Sequence, residues 1–90
     1  MALSLEQNDI EKIQGLEGLT DLKVLYLSEN QIEEIEGLNQ LKSLEKLDLS
    51  CNKLKEIQGI NYLPKLETLN LRIPPSFDGG WDSMFILYKL

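Results

Sequence analysis

Apolar residues in this chain return at a fixed interval of 22 positions. Leu3, Leu25, Leu47 and Leu69 form one column, and Leu5, Leu27, Leu49 and Leu71 form the next. Ile10, Ile32 and Leu54 follow at the same offset, as do Ile13, Ile35 and Ile57, and then Leu16, Leu38 and Ile60. Leu19, Leu41 and Leu63, with Leu22, Leu44 and Leu66, complete the apolar set. Two non-apolar columns share the interval: Asn8, Asn30 and Asn52, and Gly15, Gly37 and Gly59. The alignment needs no gap from Ala2 to Leu71. A constant period of this size predicts a solenoid of stacked units, none of which can bury its apolar residues alone.

The spacing inside one unit gives the shape of a coil. Leu25 and Leu27 alternate around Tyr26, the period of two of a strand. Successive strands run in the same direction, so each pair requires a crossover. Ile32, Ile35 and Leu38, spaced by three, predict a 3₁₀ or irregular turn with one buried face. The glycine column predicts a backbone conformation that side chains oppose. The fold class expected is α/β: short parallel strands on a concave face, with 3₁₀ or irregular turns on the convex face. Each fully buried Leu or Ile stabilises such a stack by roughly 1.5–3 kcal/mol, against backbone ordering of about 1–2 kcal/mol per residue.

The framework LxxLxLxxNxIxxIxGL, seen in Leu22, Leu25, Leu27, Asn30, Ile32, Ile35, Gly37 and Leu38, resembles the short 22-residue class of leucine-rich repeat. It is similar to the leucine-rich regulatory subunit of type 1 protein phosphatase and to the leucine-rich light chain of axonemal dynein. The resemblance implies a leucine-rich-repeat solenoid that docks a protein partner on its concave face, with a phosphatase or a dynein or ciliary component as the partner classes. It assigns no contact residues to this chain. It also implies that Asn8, Asn30 and Asn52 form a structural ladder at the bend after each strand, rather than a binding row; buried amides need such partners.

The framework stops in the fourth unit. The expected Asn falls at Pro74, and the expected Ile positions fall at Ser76 and Gly79. Residues 1–71 therefore read as repeats and 72–90 as an atypical cap or non-repeat tail. As a cap, Trp81, Met84, Phe85 and Tyr88 would line one face of a short helix, with Asp82 and Ser83 in its first turn. As a foreign tail, it would mark a shortened form of a longer repeat protein. Met1 leading almost directly into a strand agrees with that second reading. Open ends would then expose apolar surface and invite association; otherwise a monomer is expected.

Composition narrows the chemistry. The chain has 15 acidic and 9 basic residues, a net charge of −6, and no basic stripe, which argues against nucleic acid and anionic membranes as partners. It has no His, which removes the commonest general base and metal ligand. One cysteine, Cys51, excludes an intrachain disulfide or a thiolate metal cluster. The Gly79–Gly80 pair lacks the flanks of a phosphate loop. Glu33–Glu34 read as a solvated face, with Glu33 over Lys55 and Lys12 over Glu34 as surface ion pairs. No catalytic residues, metal or cofactor are expected. Cys51 reads as an incidental thiol near a strand end, since Lys53 is expected to face away from it. The absence of a signal sequence and of a long apolar run predicts a soluble cytoplasmic protein, with nucleus and cilium left open.

What remains is the concave strip of non-leucine strand positions. Its columns are Ala2, Val24, Lys46 and Thr68; then Ser4, Tyr26, Asp48 and Asn70; then Glu6, Ser28, Ser50 and Arg72. The candidate partner-binding residues are Val24, Tyr26, Ser28, Lys46, Asp48, Ser50, Thr68, Asn70 and Arg72. Tyr26, beside Val24, Lys46 and Asp48, is the expected anchor, because Tyr is enriched where binding energy concentrates. The alternative is that Tyr26 only covers its neighbours on the sheet.

Overall fold

A computed structural model describes residues 1–55, 63–71 and 87–89. Five three-residue strands occur among them: β1 (Ala2–Ser4), β2 (Val24–Tyr26), β3 (Lys46–Asp48), β4 (Thr68–Asn70) and β5 (Leu87–Lys89). They form one sheet in chain order. β1 to β4 pair in parallel, and every Cα partner is the residue 22 positions on: Leu3 opposite Leu25, Leu25 opposite Leu47, Leu47 opposite Leu69. The sequence columns are thus spatial rows.

Hydrogen bonding carries the ladder past the regular strands at both ends. Before each strand one carbonyl accepts two amides of the next coil: Met1 O from Lys23 N and Val24 N, Lys23 O from Glu45 N and Lys46 N, Glu45 O from Glu67 N and Thr68 N. After each strand Leu27 N donates to Asp48 O at 2.8 Å and Glu29 N to Ser50 O at 2.9 Å. On the far side of the stack, Gln31 N donates to Ile10 O and Lys53 N to Ile32 O. Neighbouring coils are therefore stitched on the sheet side and again beyond the bend.

The strand leucines turn inward. Leu22, Leu25, Leu27, Leu44, Leu47, Leu49, Leu69 and Leu71 are buried, and Ile32, Ile35, Leu38 and Leu41 close the core from the crossover side. Among the described residues the crossovers contain bends and turns but no helix. The spacing of Ile32, Ile35 and Leu38 buries one face as expected. The i to i+3 bonds occur later, from Leu41 N to Leu38 O and Leu44 N to Leu41 O. With so few residues per coil, the chain returns to the sheet before a regular helix can start.

The expected tail helix is corrected at its end. Tyr88 lies in β5, which pairs antiparallel with β4 and sets Tyr88 opposite Leu69. The outer edge of β4 offers unpaired N–H and C=O groups, and an added strand satisfies them directly. Trp81, Met84 and Phe85, and with them most of that expectation, lie outside the described residues, as do Ile57, Gly59, Ile60 and Arg72.

Gly37 shows what the glycine column is for. Gly15 and Gly37 have φ of 79° and 71°, the left-handed region that side chains resist. A Cβ on Gly37 would also run into the carbonyl oxygen of Ile13 in the preceding coil, whereas one on Gly15 meets open space. Gly15→Ala should therefore cost only the left-handed strain, about 1–2 kcal/mol, and Gly37→Ala well over that, because backbone must move as well. Urea unfolding of the two variants checks this; equal losses would mean that the coil-to-coil approach at Gly37 carries no weight.

Candidate functional site

β1 to β4 each leave two side chains on the sheet face opposite the leucine core. In β2 these are Val24 and Tyr26, in β3 Lys46 and Asp48, and in β4 Thr68 and Asn70. The register aligns Val24, Lys46 and Thr68 in one file and Tyr26, Asp48 and Asn70 in the other. Ala2 and Ser4 of β1 continue both files. Tyr26 is 37% exposed and Lys46 is exposed, while Val24, Asp48, Thr68 and Asn70 are half-buried. The expected anchor group is thus contiguous.

The third column is different. Ser28 and Ser50 are buried, so they offer little contact surface. Ser50 instead serves Asp48: its backbone N–H donates to Asp48 Oδ1 at 3.0 Å and its hydroxyl donates to the same oxygen at 2.7 Å. Asp48 is thereby held in one orientation. This contact was not foreseen, although an Asp two residues before a Ser is a recognisable signal for such a turn.

The reason Ser28 and Ser50 withdraw lies in the next residue. Gln7, Glu29 and Cys51 have φ of 56°, 58° and 57°. Three unlike side chains thus share one left-handed corner, where the backbone leaves the sheet and turns inward. Cys51 is half-buried at this corner, and its neighbours there are those of a bend.

The inward turn delivers the asparagines. Asn30 Nδ2 donates to Leu5 O and Leu27 O at 3.0 Å and lies 3.2 Å from Ser28 O, while its Oδ1 accepts from Asn8 N and Ile10 N. Asn52 repeats this one coil on, with Nδ2 against Leu27 O, Leu49 O and Ser50 O, and Oδ1 accepting from Ile32 N. Asn8, at the exposed end, donates to Leu5 O and Glu6 O. The ladder is structural: its amides are consumed by backbone, and Asn30 and Asn52 are buried.

On the crossover side, Lys55 Nζ lies 3.3 Å from Glu33 Oε1 with both side chains well exposed, a pair worth about 0–1 kcal/mol. The second expected pair, Lys12 with Glu34, is not formed. Among the described residues no group of His, Cys, Asp or Glu side chains is placed to hold a metal ion.

Removing the ladder amide should hurt in proportion to its burial. Asn52→Ala leaves Leu49 O and the Ile32 amide without a partner among the described residues, at about 1–3 kcal/mol for each, whereas Leu27 O keeps Asn30 Nδ2 and Ser50 O keeps Glu29 N. Asn8→Ala, at an exposed bend, should lose under about 1 kcal/mol. Thermal denaturation of both variants tests the gradient; similar losses would show that the two amides contribute alike despite their different burial.

A family model for leucine-rich repeats, containing two copies, matches residues 2–40 and again 42–76. No curated protein matches the chain. Leucine-rich repeats generally act as non-catalytic modules for protein–protein interaction. The stacked parallel strands, the inward leucines and the matched segments agree, and the chain belongs to the leucine-rich repeat family.

Proposed function

We propose that this chain is a non-catalytic interaction module, a scaffold or regulatory adaptor that holds a protein partner on the concave, core-free face of its sheet. The observation that carries the reading is the alignment of Val24, Lys46 and Thr68 with Tyr26, Asp48 and Asn70 in two files free of framework leucines. Parallel strands about 4.8 Å apart hold such files rigidly. A rigid, pre-formed surface loses less entropy on binding than a loop does. Tyr26 supplies the aromatic area that typically concentrates binding energy, and Arg72 follows in sequence in the third column, after Ser28 and Ser50. The resemblance to phosphatase-regulating and axonemal repeat proteins suggests a phosphatase or a dynein or ciliary component as the partner, met in the cytoplasm. Crosslinking with mass spectrometry in extracts of ciliated cells tests this. Crosslinked partners should be lost with a Tyr26→Ala, Lys46→Ala, Asp48→Ala variant and retained with a Glu33→Ala, Glu34→Ala variant, both keeping the parent circular dichroism. Retention by the first variant would remove the concave face as the site.

A second reading is association through the partly buried leucines and isoleucine at the β1 end of the stack. Leu3, Leu5, Ile10 and Leu19 are only partly buried, while their counterparts one coil on, Leu25, Leu27, Ile32 and Leu41, are sealed. Sedimentation equilibrium separates the readings: a mass that rises with concentration, and falls back with Leu3→Lys, supports self-association, and a constant monomer mass removes it.

A further inference from the structure

Charge on the core-free face is unevenly distributed. Glu6 and Glu29 follow the C-terminal ends of β1 and β2, β3 ends on Asp48, and no cation stands at these three ends among the described residues. Glu6 and Glu29 are exposed; Gln7 Nε2 donates to Glu29 Oε2 at 3.3 Å, which holds that carboxylate at the rim. The cations Lys23 and Lys46 stand at the N-terminal ends of the strands. Lys46 lies two residues from Asp48 along β3, and among the described residues no cation forms an ion pair with Asp48.

Asp48 is also oriented. Ser50 engages Oδ1 twice, through its N–H and its hydroxyl, and Oδ2 accepts no hydrogen bond from the described residues. Tyr26 is its Cα partner on the adjacent strand, so a half-exposed ring and a fixed carboxylate lie side by side. A planar cation suits this pair better than any other group. A guanidinium can donate to Oδ2 in its plane while its face lies against the ring. Charge-assisted bonds to a carboxylate already held in place are stronger than neutral ones, and neighbouring Glu6 and Glu29 raise the local concentration of a basic segment.

Resting on the interaction-module reading, we propose that the partner docks by a basic segment whose arginine sits on Tyr26 and bonds Asp48. The probes are two capped hexapeptides of the same length and composition except that one has an Arg pair where the other has a Glu pair. Each is titrated into the ¹⁵N-labelled full chain. The Arg peptide should shift the amides of Tyr26, Ser28, Asp48 and Ser50, and the Glu peptide should not. Asp48→Asn keeps the acceptor for Ser50 and removes only the charge; it should weaken the Arg peptide about tenfold. Lys46→Gln should tighten it, and added salt should weaken it. Shifts confined to Glu33, Glu34 and Glu36 on the crossover side, or an Arg affinity unchanged in Asp48→Asn, would overturn the inference. So would equal shifts from the Glu peptide, although concave docking would then stand with an acidic partner. If neither peptide moves those amides the arginine assignment falls, while docking on this face is decided separately by the crosslinking variants.

Discussion

The stack depends on one kind of contact, a buried carboxamide shared between two consecutive coils. Asn30 holds Leu27 O and Ser28 O of its own bend and Leu5 O of the coil before, and accepts the amides of Asn8 and Ile10. Leucine burial supplies most of the attraction, but it is non-directional. Sliding one coil past another by two residues would still bury leucines. It would also leave the carboxamide and several carbonyls without partners in a dry interior, at about 1–3 kcal/mol each. The amide therefore converts a general attraction into a 22-residue register.

That register has a conformational cost. To bring the carboxamide inward, the preceding residue adopts a left-handed backbone at Gln7, Glu29 and Cys51, which opposes folding by about 1–2 kcal/mol at a non-glycine residue. The bonds made by the following asparagine offset it. Gly37 solves a second geometric problem, the close pass of its backbone over the Ile13 carbonyl. Strain in this fold thus recurs at equivalent places in successive coils, which marks it as architectural; strain reserved for function would be expected at one site only.

The repetition explains what could be read from the chain before its structure. Leucine, asparagine and glycine columns were legible because each position demands one side-chain property in every coil. The strand register and the two files of the outer face followed from the same alignment. The left-handed corner was not legible, because Gln, Glu and Cys share no side-chain property and the shared feature is a φ angle. The burial of Ser28 and Ser50 was missed for the same reason: the corner begins one residue earlier than strict alternation implies. β5 was read as part of a helix because Tyr88 suits a helical spacing with Trp81, Met84 and Phe85. Its pairing with β4 depends on an edge more than a dozen residues away, which no local period encodes.

A division of labour follows for recognition. Face residues such as Tyr26 and Lys46 sit on backbone whose position is fixed by Leu25, Leu27 and Asn30 beneath it, and by ladder bonds that use no face side chain. Substitutions on the face should therefore alter surface chemistry while leaving the register intact. Asp48 within the strip has a carboxylate tied to Ser50 and through it to the bend that buries Asn52. A charge anchored in this way loses little freedom when a partner arrives, whereas Lys46, on a flexible stem, must be ordered at the moment of binding. On a mixed face, the fixed charge rather than the mobile one should set which sign of partner is preferred.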